Sequence, residues 1–156
     1  MRKVEIFQAT AQHAAEMLPH IRQADIDEFY AAALIEPEEV LRRSMAASSV
    51  SWAGLVDGEV VAIFGVCPAS MLTGFGVPWL VGTDRLEAVQ VTFLRHCRPV
   101  LAAMQQLYPR LENFVDARNT AAKSWLHWLG FKLHDAKPYG ALQLPFHHFV
   151  LRANHV

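Results

Sequence analysis

A chain of 156 residues, 53% hydrophobic and 19% charged, is long enough for one domain with one real core and too apolar to remain disordered. Its formal net charge of −1 supplies no long-range attraction to nucleic acid or to anionic lipid. No apolar run is long enough to span a bilayer, and the N-terminal stretch MRKVEIFQAT lacks the apolar segment of a signal peptide. Cys67 and Cys97 form no CxxC and read as reduced core thiols in a cytoplasm.

Lys3 to Ala9 reads as a first strand, with Val4 and Ile6 on one face. Thr10 is placed to cap a helix carrying Ala14, Met17, Leu18 and Ile21, and Pro19 predicts a kink or break within it. Arg22, Asp25 and Glu28 then recur at a spacing of three. They predict an exposed helix with weakly paired charges; the alternative is a carboxylate pair beside a substrate cleft. Glu36-Pro37-Glu38-Glu39 opens another helix, since proline suits the first turn and acids suit its positive end.

Val50–Val56 and Glu59–Val66 read as two strands joined by Asp57-Gly58, a dipeptide suited to the positive φ angles of a type I′ turn. The second is apolar along almost its whole length, as in a strand covered on both faces. After a loop over Pro68–Gly76, Val77–Val81 is a fourth strand. Asp84 with Glu87 resembles a capping box. Leu86, Val89, Phe93, Cys97, Val100, Met104 and Leu107 then trace one face of a long helix, with a kink or two collinear pieces expected at Pro99. Tyr108-Pro109 stops it.

The stretch Leu111–Phe131 organises the chain. Leu111–Ala117 reads as a short buried strand. Asn119 stands at a helix N-cap, and Ala121, Trp125 and Trp128 lie beside Ala122, Leu126 and Leu129 on an apolar face. Trp79, Trp125 and Trp128 are expected in the core. Gly130 suits the left-handed residue that ends a helix. Phe131–His134 continues as a strand, Lys137–Gly140 is a turn, and Phe146–Leu151 is the last strand. The eight histidines show no ligand spacing, and adjacent His147 and His148 would point to opposite faces of a strand, so no dedicated metal site is expected. Nor is there a GxSxG.

Asn119, the small residue Ala122 and Leu129-Gly130-Phe131 resemble the strand–helix–strand segment of the GNAT N-acyltransferases, and the order of elements extends the resemblance along the chain. Arg22-Gln23-Ala24-Asp25, Phe64-Gly65-Val66, Pro78-Trp79-Leu80-Val81-Gly82-Thr83 and Val115-Asp116-Ala117-Arg118-Asn119 also look like a phage and prophage GNAT-like family that includes internal virion proteins of podoviruses. The resemblance implies a single α/β (α+β) domain over residues 1–156. Its mixed, mostly antiparallel sheet would have about six to seven strands, helices on both faces and a splay between the fourth and fifth strands.

By resemblance the chain is an acyl-CoA-dependent N-acyltransferase, moving an acetyl group from acetyl-CoA to a small-molecule or protein amine. The alternative is a degenerate GNAT-fold component of a phage particle, partnered by virion proteins. The first would work in the bacterial cytoplasm, the second in the virion; neither implies a membrane or nucleic acid. The implied cofactor contacts are Leu80, Val81, Gly82, Thr83 and Arg85, with Asn119 and Ala122 on the helix. The candidate bases are Asp116, Glu28 and Asp25. Two positions depart from the family pattern. The phosphate signature Q/R-x-x-G-x-G/A is replaced by Gly82-Thr83-Asp84-Arg85-Leu86-Glu87-Ala88, with acids where a pyrophosphate should sit. Leu126 stands where these enzymes often carry an acidic tyrosine.

Overall fold

The computed structural model describes residues 2–69 and 74–153. Strand β1 (Val4–Gln8) leads to α1 (Ala11–Met17), whose N-cap Thr10 accepts from the His13 N–H. Pro19 ends α1 as expected, and Leu18–His20 tightens into a 3-10 turn. Helices α2 (Gln23–Ala33) and α3 (Pro37–Ala47) follow. The hairpin of β2 (Val50–Val56) and β3 (Glu59–Pro68) turns at Asp57 and Gly58, with φ of 51° and 81°. Then come β4 (Phe75–Gly82), α4 (Asp84–Leu107), β5 (Arg110–Asp116), α5 (Thr120–Leu129), β6 (Lys132–Leu133), β7 (Lys137–Tyr139) and β8 (Leu144–Arg152).

The strands form one sheet in the order β1-β2-β3-β4-β5-β8-β6, with β7 also on β8. Among the described strands only β4 and β5 run parallel. The architecture is a mixed, mostly antiparallel sheet between two helical layers. Leu86, Val89 and Phe93 of α4 and Trp125 of α5 pack on one face with Phe64, Leu111 and Phe149. Met17, Ile21 and Leu41 pack on the other with Ile63 and Val81. The Phe93 ring lies so close to Gly54 that a Cβ there would overlap it.

Four expectations need correction. No capping box forms at α4: Thr83 is the N-cap, its hydroxyl donates to Val61 O at 3.3 Å, and Glu87 turns to Arg22. The helix runs through Pro99 as one element and not as two pieces. Lys137–Tyr139 is a short strand, because its residues find partners on β8 before the chain turns at Gly140. Trp128 is 43% exposed and lies under the Arg98 guanidinium. Among the described residues no helix is long and apolar enough to cross a membrane.

Gly140 ties the far end of the sheet to α2. It has φ of 76°, and an added Cβ would come within 2.8 Å of Ala32 Cα. The next two N–H groups donate to Ala32 O and Ala31 O at 2.9 and 3.1 Å. Gly140→Ala meets both a left-handed backbone and a backbone wall. It is expected to lower stability by about 2 kcal/mol, measured by urea unfolding.

Candidate active site

Strands β4 and β5 pair only at Phe75 with Arg110 and Gly76 with Leu111. Beyond that point they diverge. The β3–β4 register, with Thr83 N–H on Val61 O at 2.9 Å, turns alternate peptide groups of β4 toward β3. Those of Pro78, Leu80 and Gly82 therefore face the gap. Asn113 Nδ2 donates to Pro78 O at 2.8 Å, which leaves Leu80 as the peptide unit facing the middle of the splay.

The mouth of the gap is filled by the chain itself. Ile21 bridges to Thr83, and Arg22 N–H donates to Gly82 O at 3.0 Å. Asp25 Oδ2 accepts from Gly82 N–H at 2.9 Å. Arg22 is 2% exposed and lies over the Trp125 ring at 4.8 Å. Its guanidinium donates to Asp25 Oδ1 at 2.7 Å, Glu87 Oε1 at 3.0 Å and Asn119 Oδ1 at 3.2 Å. Asn119 Oδ1 also caps α5, accepting from Ala122 N–H at 3.4 Å, and its amide donates to Asp25 and Glu28 at 3.1 and 3.3 Å. The first turn of α2 thus joins the ends of β4 and β5 through buried, charge-assisted bonds.

The structure separates the three candidate bases. Asp116 ends β5 and is gripped by Arg118, whose side chain reaches it at 2.7 Å and whose backbone N–H reaches it at 2.9 Å. Asp25 has both oxygens engaged, and burial raises its pKa against the opposing pull of Arg22. Glu28 is bonded, among the described residues, through Oε1 alone: to Asp116 N–H at 2.8 Å and to Asn119. Burial pushes its pKa up to about 8, with the Asp25 and Asp116 carboxylates adding to the rise. A group that titrates near neutrality can both take and release a proton at working pH.

Two cavities meet at the splay. One, of about 130 Å³, lies beneath α4 and α5 and is almost wholly apolar, with Phe93, Cys97, Ala122 and Trp125 in its wall. The other, of about 260 Å³, lies beneath α2 and α3 and contains Glu28. Pro78, Trp79, Leu80, Leu126 and Phe149 line both.

The remaining sequence candidates fall in different places. Leu80 is at the junction and Ala122 on the apolar side. Gly82 is at the plugged mouth. Val81 is buried among Met17 and Ile63, with its peptide groups toward β3. Arg85 turns away, to Glu59 at 2.9 Å and Asp57 at 3.8 Å. The exposed helix expected around Arg22 and Asp25 is overturned, since both are buried. Arg22 and Glu87 were not among the candidates. The spacing of Arg22 to Asp25 signals a local ion pair, but nothing in sequence couples them to Glu87 and Asn119 in distant elements.

No protein-family model and no curated protein matches the sequence. Solved structures do match over nearly the whole chain. A GNAT-family acetyltransferase from Streptococcus pneumoniae is 16% identical, with a TM-score of 0.64, over 97% of this chain and 100% of its own. A GCN5-related N-acetyltransferase from Kribbella flavida is 17% identical, with a TM-score of 0.70, over 96% and 97%. An aminoglycoside acetyltransferase solved in complex with coenzyme A is 12% identical, with a TM-score of 0.69, over 96% and 95%. This chain has the fold of the GNAT acetyltransferases.

Proposed function

We propose that the protein is an N-acyltransferase that moves an acyl group, such as acetyl, from a thioester to an amine across the β4–β5 splay. One observation carries the reading: Glu28, with its pKa near 8, lines the cavity on one face of the sheet where that cavity meets an apolar slot on the other. Neighbours of the same fold hold coenzyme A or acetyl-CoA. The thioester supplies the activated acyl group. Glu28 takes one proton from the bound ammonium, so that a neutral amine faces the splay. The N–C bond forms as the C–S bond breaks, and the second amine proton leaves with the thiol. Leu80 offers its peptide N–H and C=O to an extended arm, as an added strand would require. Asn119 and Asp116 position Glu28.

The two ends of acetyl-CoA fare differently. The pantetheine arm suits an apolar slot edged by Leu80 and Ala122. The diphosphate does not suit the start of α4. Thr83 alone joins β4 to α4, too short to cradle phosphate with main-chain N–H groups. Asp84 and Glu87 occupy the first turn, and Arg85 is drawn off to Glu59. This is an atypical pyrophosphate loop. S-acetylpantetheine, which lacks the nucleotide, is therefore expected to serve within about threefold of acetyl-CoA in kcat/KM, a difference under 1 kcal/mol. Thiol release with a panel of primary amines measures it, and a hundredfold preference for acetyl-CoA would overturn this view of the donor end.

The plugged mouth favours a second reading, a GNAT-fold protein without turnover; a role as an internal virion or assembly component of a phage rests on the sequence resemblance alone. It predicts no rise in melting temperature with millimolar acetyl-CoA or S-acetylpantetheine. A donor that binds the native state must raise it by mass action.

A further inference from the structure

The cavity beneath α2 and α3 has a composition that selects among amines. Its wall is aromatic: Trp79, Phe114, Tyr139 and Phe146 face it beside Phe29. Phe114 and Tyr139 stack with ring centroids 3.9 Å apart, and Tyr139 lies 5.2 Å from Phe146. Trp79 is held by a bond from Nε1 to Ser48 Oγ at 2.7 Å. These rings are fixed before any ligand arrives, which lowers the entropic cost of binding a flat apolar group. Among the described lining residues Glu28 is the single carboxylate. The outer groove that continues past Tyr139 holds Asp135 and Lys137, of opposite charge.

Size and charge then set the ligand. A cavity of about 150 Å³ accepts benzene. The 260 Å³ here holds one ring with a short tail to spare. One carboxylate neutralises one ammonium, and a second ammonium would be stripped of water without a partner.

We infer that the amine acceptor is an arylalkylamine: one aromatic ring on the Phe114–Tyr139 wall, a short alkyl link, and one primary ammonium at Glu28. This rests on the acyl-transfer reading for its chemistry, but binding can be read without a donor. The probes are 2-phenylethylamine, n-butylamine and spermidine, titrated calorimetrically at pH 8.5. An aromatic contact adds about 0.5–1.5 kcal/mol beyond area, so 2-phenylethylamine is expected to bind about tenfold more tightly than n-butylamine. Spermidine is expected to be no better than n-butylamine.

Glu28→Gln should weaken 2-phenylethylamine about tenfold and remove the gain in affinity between pH 6.5 and 8.5. Gln keeps an oxygen for the Asp116 and Asn119 bonds, so the fold is retained. Tyr139→Leu should remove most of the ring preference, weakening 2-phenylethylamine more than n-butylamine. Equal binding of the three amines, or a ring preference indifferent to both substitutions, overturns the assignment. Ring-selective binding without acetylation supports the cavity assignment and removes the transfer reading. Acetylation that prefers spermidine does the reverse.

Discussion

Glu28→Gln is expected to lower the rate of amine acetylation by about 10²–10⁴-fold, the range for losing a general base, while making the protein more stable at pH 8. The two effects share a cause. The Glu28 carboxyl has its pKa pushed from 4.5 to about 8 by burial between α2 and the end of β5. The folded chain therefore binds this proton more tightly than the unfolded chain does. That preference favours folding fully below pH 4.5 and is lost as the pH rises through 8. At about 1.4 kcal/mol per unit of pKa difference, the loss is of the order of 4–5 kcal/mol, or roughly 10 °C in melting temperature for a chain of this size.

Gln carries no titrating proton. Near pH 5 variant and wild type should melt together; near pH 8 the variant should melt higher. Asp25, whose pKa burial also raises, contributes a slope of the same sign that remains in the variant. A purely structural Glu28 would give a variant less stable at every pH. An inert one would leave both melting curve and rate unchanged. Melting curves at half-unit pH steps separate these outcomes.

The difference in legibility between fold and site has a physical basis. Asn119 and Gly130 mark the ends of α5 because capping and left-handed termination are local requirements, met by one residue each. Asp57-Gly58 marks its hairpin for the same reason. The β4–β5 splay was legible only through resemblance. Arg22 and Asp25 read as surface charges because their spacing fits an exposed helix, and a local pattern does not encode what an element docks into. Their burial depends on partners 57 to 97 residues away in sequence. The choice among Asp25, Glu28 and Asp116 was invisible for a related reason. It is decided by which oxygens are already spoken for, a property of the assembled network rather than of any one segment.

Arg22→Leu is expected to cost about 3–5 kcal/mol at pH 7, the usual penalty for removing one partner of a buried ion pair. The guanidinium is the cation within hydrogen-bonding reach of Asp25, and it also holds Glu87 and Asn119. Without it Asp25 keeps only the Gly82 N–H and the Asn119 amide. Acid should relieve the defect, because a protonated Asp25 needs no counter-charge, so the variant should regain stability as pH falls toward 5. Adding Asp25→Asn should recover part of the loss at pH 7. The amide oxygen can still accept from Gly82, and two neutral groups replace one stranded charge. The double variant should then be more stable than Arg22→Leu alone, a coupling that independent sites would not show. Urea unfolding of the four proteins at pH 5 and 7 measures it. A cost under 1 kcal/mol, with no pH dependence and no recovery, would mean that the network does not hold the mouth of the splay closed. If it does, the same single variant should loosen the Ile21–Thr83 bridge and bind S-acetylpantetheine, which carries no phosphate, more tightly than wild type does.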